Sequence, residues 1–194
     1  MVLDPAVLIY LEGEKVALGP LRRDLLPLYT RWINDLHNLR GLGMRPQPIT
    51  AEQEQDWFES ASRNTSSAHF TIFEAQGRRP VGNTGLSEID HRNGTATFGI
   101  LIGERDCWGQ GYGTEATRLM LDYGFTALGL HNIDLRVFSY NQRAVRAYLR
   151  AGFQETGRRR EAIRLAGVPY DVIYMDCLST EFKSEVVAPI LDQR

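Results

Sequence analysis

The residues with the clearest chemical potential form one short stretch, Trp108-Gly109-Gln110-Gly111-Tyr112-Gly113-Thr114. Glycine at every second position lets main-chain N–H groups approach a phosphate with no side chain in the way. A helical pattern follows from Thr114, and a helix behind such a loop adds unpaired N–H donors and the positive end of its dipole. A pyrophosphate-bearing ligand is the natural guest. A Walker loop is excluded because no lysine precedes Thr114. A dinucleotide fingerprint fits badly, because the glycines run G-x-G-x-G and follow antiparallel-type strands. Other chemistries lack their parts. There is no G-x-S-x-G elbow, and neither Cys107 nor Cys177 has an evident partnered base. His37, His69, His91 and His131 are scattered and make no H-E-x-x-H, so no metal is expected.

The elements that must position this loop follow from periodicity. Residues 15–21 alternate as a strand. From Arg23, apolar residues recur at three- and four-residue steps through Leu36, which predicts one amphipathic helix. Gly41, Gly43, Pro46 and Pro48 make a loop, which should border an acceptor groove, with Arg45 in it. Thr50 and Gln53 form a capping box for a second helix to about Ser62. Strands are expected at 69–75, 81–90 and 95–102, then a helix from Thr114 stopped by Gly129, then a strand at 133–138. Asn141 caps a helix carrying Ala144, Val145 and Tyr148. On that stripe alone Tyr148 is either a core aromatic or a site residue. A final antiparallel pair, 153–163 and 170–178, turns at Ala166-Gly167, and the tail from Ser179 is expected to be peripheral. The fold class is α/β: a mixed, mostly antiparallel central sheet with one parallel pair at the crossover, flanked by helices.

Composition narrows the function classes. With 194 residues the expectation is one domain, with a core at about 15–178, an N-terminal extension at 1–14 and a tail at 179–194. The net charge is -2 and gives no general pull toward nucleic acid. The run Arg158-Arg159-Arg160 fits a solvated face. No apolar run approaches the ~20 residues of a membrane span, no signal pattern opens the chain, and two distant cysteines suit a reducing compartment, so the expected location is the cytoplasm.

Two linked motifs carry a resemblance. The loop 108–113, followed by Thr114-Glu115-Ala116, resembles the acetyl-CoA loop of the GCN5-related N-acetyltransferase (GNAT) superfamily, with Trp108 at a position usually Gln or Arg. Downstream, Asn141, Ala144, Tyr148, Gly152 and Phe153 match that family's N-x-x-A-x-x-x-Y-x-x-x-G-F signature. The likeness runs from about Val16 to Leu178, on the branch of ribosomal-protein and spermidine acetyltransferases. It implies acetyl transfer from acetyl-CoA to a primary amine by direct attack. The amine belongs to a polyamine, an aminoglycoside-like molecule or a protein N-terminus. By the resemblance, the backbone of Ile100, Leu101 and Ile102 binds pantetheine and the loop 108–114 the pyrophosphate. Asn141 contacts the cofactor and Tyr148 protonates the departing thiolate. Arg143 is the candidate for the CoA phosphates. Relatives often carry a Glu where Thr97 stands, so Glu88 is the expected base, with strand parity aiming it into the amine site. A homodimer through residues 7–11 stays open. The alternative is a non-catalytic acyl-CoA-binding regulatory module.

Overall fold

The structure, a computed structural model, describes residues 7–43 and 47–192. Arg45 therefore lies outside the described residues. Eight strands, β1 (Leu11–Glu12), β2 (Val16–Pro20), β3 (Ala68–Glu74), β4 (Pro80–Asp90), β5 (Thr95–Ile102), β6 (Asn132–Phe138), β7 (Gln154–Leu165) and β8 (Val168–Leu178), form one sheet. Their order is β1-β2-β3-β4-β5-β6-β8-β7, and β5 with β6 is its one parallel pair. Helices α1 (Leu26–Ile33), α2 (Leu36–Leu42) and α3 (Ala51–Arg63) pack on one face. Helices α4 (Tyr112–Asp122) and α5 (Gln142–Ala151) pack on the other, and α6 (Val187–Leu191) closes the chain's described end. Period-two alternation along β5 serves both layers. Leu101 packs with Tyr29, Trp32 and Phe58, whereas Ile100 and Ile102 join the core under α4 and α5.

The feature that positions the site is a wedge in this sheet. β5 and β6 pair only at Thr95–Asn132, Ala96–Ile133 and Thr97–Asp134. Beyond Thr97, β5 follows β4 to Ile102, and β6 follows β8 to Phe138. One edge of β5 is thus left without a strand partner, and its main-chain groups are open to a ligand. The wall is braced from the first layer. Glu115, in the first turn of α4, accepts main-chain hydrogen bonds from Glu14, Lys15 and Val16 at 2.9, 2.8 and 2.8 Å. That carboxylate fixes the β1–β2 turn against the glycine loop.

The expected capping box is present: Gln53 N–H donates to Thr50 Oγ1 at 3.2 Å and Thr50 N–H to Gln53 Oε1 at 3.0 Å. Two expectations fail. The first helix is not continuous to Leu36. Asn34 ends α1, and its side chain is held by the main chain of Ile49 at 2.9 Å on both its oxygen and its nitrogen. Asp35 then caps a separate α2 by accepting from His37 N–H. The tail is not peripheral either. Val187 is buried, Phe182 packs on Phe125, and Asp122 binds the segment between them. Within the expected N-terminal extension, Leu11 and Glu12 of β1 join the sheet, and Leu11 is buried.

Candidate active site

The wedge opens into a cavity of 300 Å³. Ile100, Leu101 and Ile102 line it from β5; Trp108, Gly109, Gly111, Gly113 and Thr114 from the loop; and Asn141, Arg143 and Tyr148 from α5 and its cap. Gly109 and Gly111 have φ of 79° and 90°, where an L side chain is strained, and a Cβ at Gly111 would stand 3.1 Å from Lys15 Nζ. Gly111 is the N-cap of α4 and offers no side-chain acceptor, so the first N–H groups of that helix stay available. Gln110 and Tyr112 are not in the cavity wall. Gln110 braces the loop through Asp106 O at 2.5 Å, and Tyr112 OH donates to Glu74 at 3.4 Å.

Trp108 explains its own departure from the usual Gln or Arg. Its Nε1–H donates to Ile102 O at 2.8 Å, locking the loop to the end of β5. The Arg143 guanidinium lies 3.7 Å above the indole centroid, a cation–π contact. Arg146 and Arg150 follow Arg143 on the same helical face and line the same cavity with no anionic partner among the described residues. Their spacing was visible in the sequence. Asn38 was not: it is buried in the wall, donates to Trp32 O and Gly103 O, and leaves its Oδ1 without a partner. These groups fit acetyl-CoA. The loop and the arginines suit its phosphates, and the open edge of β5 suits its pantetheine arm. Gly111→Val should weaken acetyl-CoA binding by about tenfold or more, since a strained residue costs on the order of 1–3 kcal/mol. Calorimetric titration checks it.

Tyr148 lines the same cavity from α5. Its ring meets Phe98 edge-on at 6.1 Å and Phe153 at 6.0 Å, and its hydroxyl has no hydrogen-bond partner among the described residues. Burial pushes the phenol up to about 12. Cys107 also lines the cavity, but burial pushes its thiol up to about 11, so it carries no thiolate nucleophile at neutral pH.

A second cavity of 460 Å³ lies against the same stretch of β5, sharing Ile100, Leu101 and Leu42 with the first. Its wall is aromatic: Trp57 meets Tyr29 at 6.4 Å and His69 at 6.0 Å, edge-on to both. His69, Gly85 and Gly99 stand in register across β3, β4 and β5. A Cβ at Gly85 would come within 2.5 Å of His69 Nδ1, so the imidazole lies over a glycine. Burial holds His69 below its ordinary pKa, neutral at physiological pH.

Glu88 does not reach this cavity. The β4–β5 register shifts between Ser87 and Asp90, and Glu88 occupies the bulge at φ 53°. The extra residue breaks the expected parity. Leu86 and Ile89 both face the core, Ser87 lines the cavity, and Glu88 is exposed, 3.4 Å from Thr97 Oγ1. Sequence reasoning missed His69 as a cavity residue, whereas the acidic run Glu52, Glu54, Asp56 and Glu59 fits either a site wall or an exposed helix face, and of these Glu54 lines the cavity. His69 and Glu54 come from elements far from the motifs, and only the tertiary register brings them to β5.

Comparisons with known proteins agree with this geometry. The acetyltransferase (GNAT) domain profile matches residues 15–154. The chain is 30% identical over 182 residues to the spermidine N(1)-acetyltransferase of Escherichia coli, covering 92% of this chain and 94% of that protein. It is 32% identical over 113 residues to an uncharacterized N-acetyltransferase of Bacillus licheniformis, covering 58% of this chain and 63% of that protein. Among solved structures, spermidine N-acetyltransferase from Vibrio cholerae in complex with CoA and spermine superposes with a TM-score of 0.80 at 26% identity, over 87% of this chain and 98% of that one. The chain belongs to the GNAT family, on its spermidine acetyltransferase-like branch, and is an acetyl-CoA-dependent N-acetyltransferase.

Proposed function

We propose that the enzyme acetylates a primary amine by direct attack in a ternary complex, with Tyr148 as the acid and His69 as the base. The observation that carries this is the meeting of two differently built cavities at Ile100 and Leu101. One is rich in main-chain donors and arginines, the other in aromatic rings. Acetyl-CoA supplies the thioester acetyl group, which the amine nitrogen takes as the C–N bond forms and the C–S bond breaks. The unpaired edge of β5 holds the pantetheine arm and offers an N–H to the acetyl oxygen, where negative charge develops. Tyr148 donates toward the leaving sulfur. An alkylamine with a pKa of ~10.4 is neutral in roughly one molecule in 2,500 at pH 7, so proton removal is a large part of the task. His69 is neutral and its ring lies along the glycine floor that leads to β5, which suits it to take that proton. Arg143, Arg146 and Arg150 hold the phosphates, and Asn141 keeps α5 in place by accepting from Ala144 N–H.

The pH profile follows from the two shifts. The base form of His69 is required and its pKa lies below 6.5, so its limb in kcat/KM should fall on the acid side of 6.5. The acid form of Tyr148 persists until about 12, so no alkaline fall assignable to it should occur through pH 10. The test of the function is thiol release from acetyl-CoA across polyamines, aminoglycosides, monoamines and short peptides, with mass detection of the product. Turnover on one class supports the proposal, and silence on every class with acetyl-CoA still bound sinks it.

A further inference from the structure

Resting on that function, we infer that the second cavity selects an acceptor with one positive charge on an apolar, aromatic-sized body, and that Glu54 is the residue that receives its ammonium group. Glu54 is 8% exposed, lines the cavity from α3, and has no hydrogen bond or ion pair on its side chain among the described residues. A carboxylate buried without a partner is costly, and a cation entering the cavity supplies the missing partner. Burial already pushes its carboxyl upward from the ordinary value, as expected for a charge waiting for a counter-ion.

The rest of the described wall holds no second carboxylate; its other polar groups, among them Asn83, Ser87 and His69, are neutral. Leu21, Ile33 and Ile49 are aliphatic, and the Tyr29 hydroxyl is engaged with Thr71 Oγ1 at 2.5 Å. The other carboxylates of α3 turn away. Glu52 and Asp56 are exposed outside the cavity wall, and Glu59 is paired with Arg23 and Arg63. A polyamine would bring further ammonium groups to a wall with one carboxylate, and each that enters would lose its hydration without an ion partner. An apolar body instead meets the edge-on rings of Trp57 and Tyr29, which also attract a single ammonium through their faces. The cavity of 460 Å³ has room for a ring of that kind.

The test compares 2-phenylethylamine and tryptamine with spermidine, on the wild type and on Glu54→Gln, with calorimetric titration of acetyl-CoA alongside. The aromatic monoamines should exceed spermidine in kcat/KM by about tenfold or more. Glu54→Gln keeps the shape and removes the charge. It should raise KM for 2-phenylethylamine by about 30-fold while acetyl-CoA binding is preserved, as expected for losing one partner of a buried pair. Should Glu54→Gln fold poorly by thermal melting, Trp57→Ala gives the second arm, with KM rising for the aromatic amines more than for spermidine. Preference for spermidine, or an unchanged KM in both variants, overturns the inference and leaves the acetyltransferase function standing. Silence on every amine overturns that function and the inference with it.

Discussion

Tyr148→Phe is expected to lower kcat by about 10²–10³-fold, the range for loss of a positioned acid, while acetyl-CoA affinity stays within about twofold. The substitution removes one oxygen and keeps the ring against Phe98 and Phe153. Because that hydroxyl has no partner, its loss leaves no other buried group unsatisfied, and the melting temperature should hold or rise slightly. The phenol sits at about 12, and a CoA-like thiol near the ~8.5 of free cysteine, so complete proton transfer is uphill by about 5 kcal/mol. The phenol therefore acts best as a hydrogen-bond donor while charge builds on sulfur, with the proton following as the thiol leaves. Its raised pKa is useful in this role, because the proton stays on the oxygen across the working pH range. Single-turnover measurements with acetyl-CoA bound read the effect directly. An unchanged rate would remove Tyr148 from the chemistry and return it to the core of α5.

The glycine loop and the Asn141 signature were legible because their chemistry is local. Alternate glycines need only the strand before and the helix after, both marked by period. The Thr50–Gln53 box was legible for the same reason. What stayed hidden depends on contacts distant in sequence. The break between α1 and α2 lies inside an unbroken apolar period, and Asn34 reveals it only through its bonds to Ile49. The bulge at Glu88 is a backbone event with no signature in side-chain type, since Glu is uncommon at positive φ. It moves a carboxylate out of the cavity wall, which a histidine from β3 lines instead. His69 reaches that place only because Gly85 and Gly99 are in register with it across three strands.

These cases separate two kinds of site residue. Those lining the first cavity come from the glycine loop, the end of β5 and α5, segments that a motif describes. Those lining the second cavity are side chains from α1, α3, β3 and β4, elements whose apolar patterns say only that they pack. On the proposed function, acceptor choice lies in the layer that the family signature does not cover, and relatives sharing the loop can differ in substrate.

Asp122→Ala should cost about 3 kcal/mol and free the C-terminal segment. Asp122 is 2% exposed at the end of α4. It accepts from Ser184 Oγ at 2.5 Å, Thr126 Oγ1 at 3.0 Å, and the main-chain N–H groups of Glu185, Val186 and Val187 at 3.1, 2.9 and 3.2 Å. Burial alone would raise its pKa, but these hydrogen bonds outweigh it and hold the carboxyl below the ordinary value. Each buried N–H left unpaired costs about 1–3 kcal/mol, so keeping the segment in place would be the more expensive outcome. Detachment lets water satisfy those groups and limits the loss to the packing of Phe182 and Val187. A loss of that size lowers the melting temperature by roughly 6–12 °C for a chain of this length. Protease sensitivity should appear first in the segment after Leu178. The pH dependence has a fixed sign. The folded-state pKa is depressed, so the stabilisation is full above the unfolded value of ~3.9 and disappears as pH falls through the folded one. Asp122→Asn should therefore melt lower than wild type at neutral pH, with the gap closing under acid. A gap that stays constant from neutral to pH 3 would show that the carboxylate's charge is not what holds the segment.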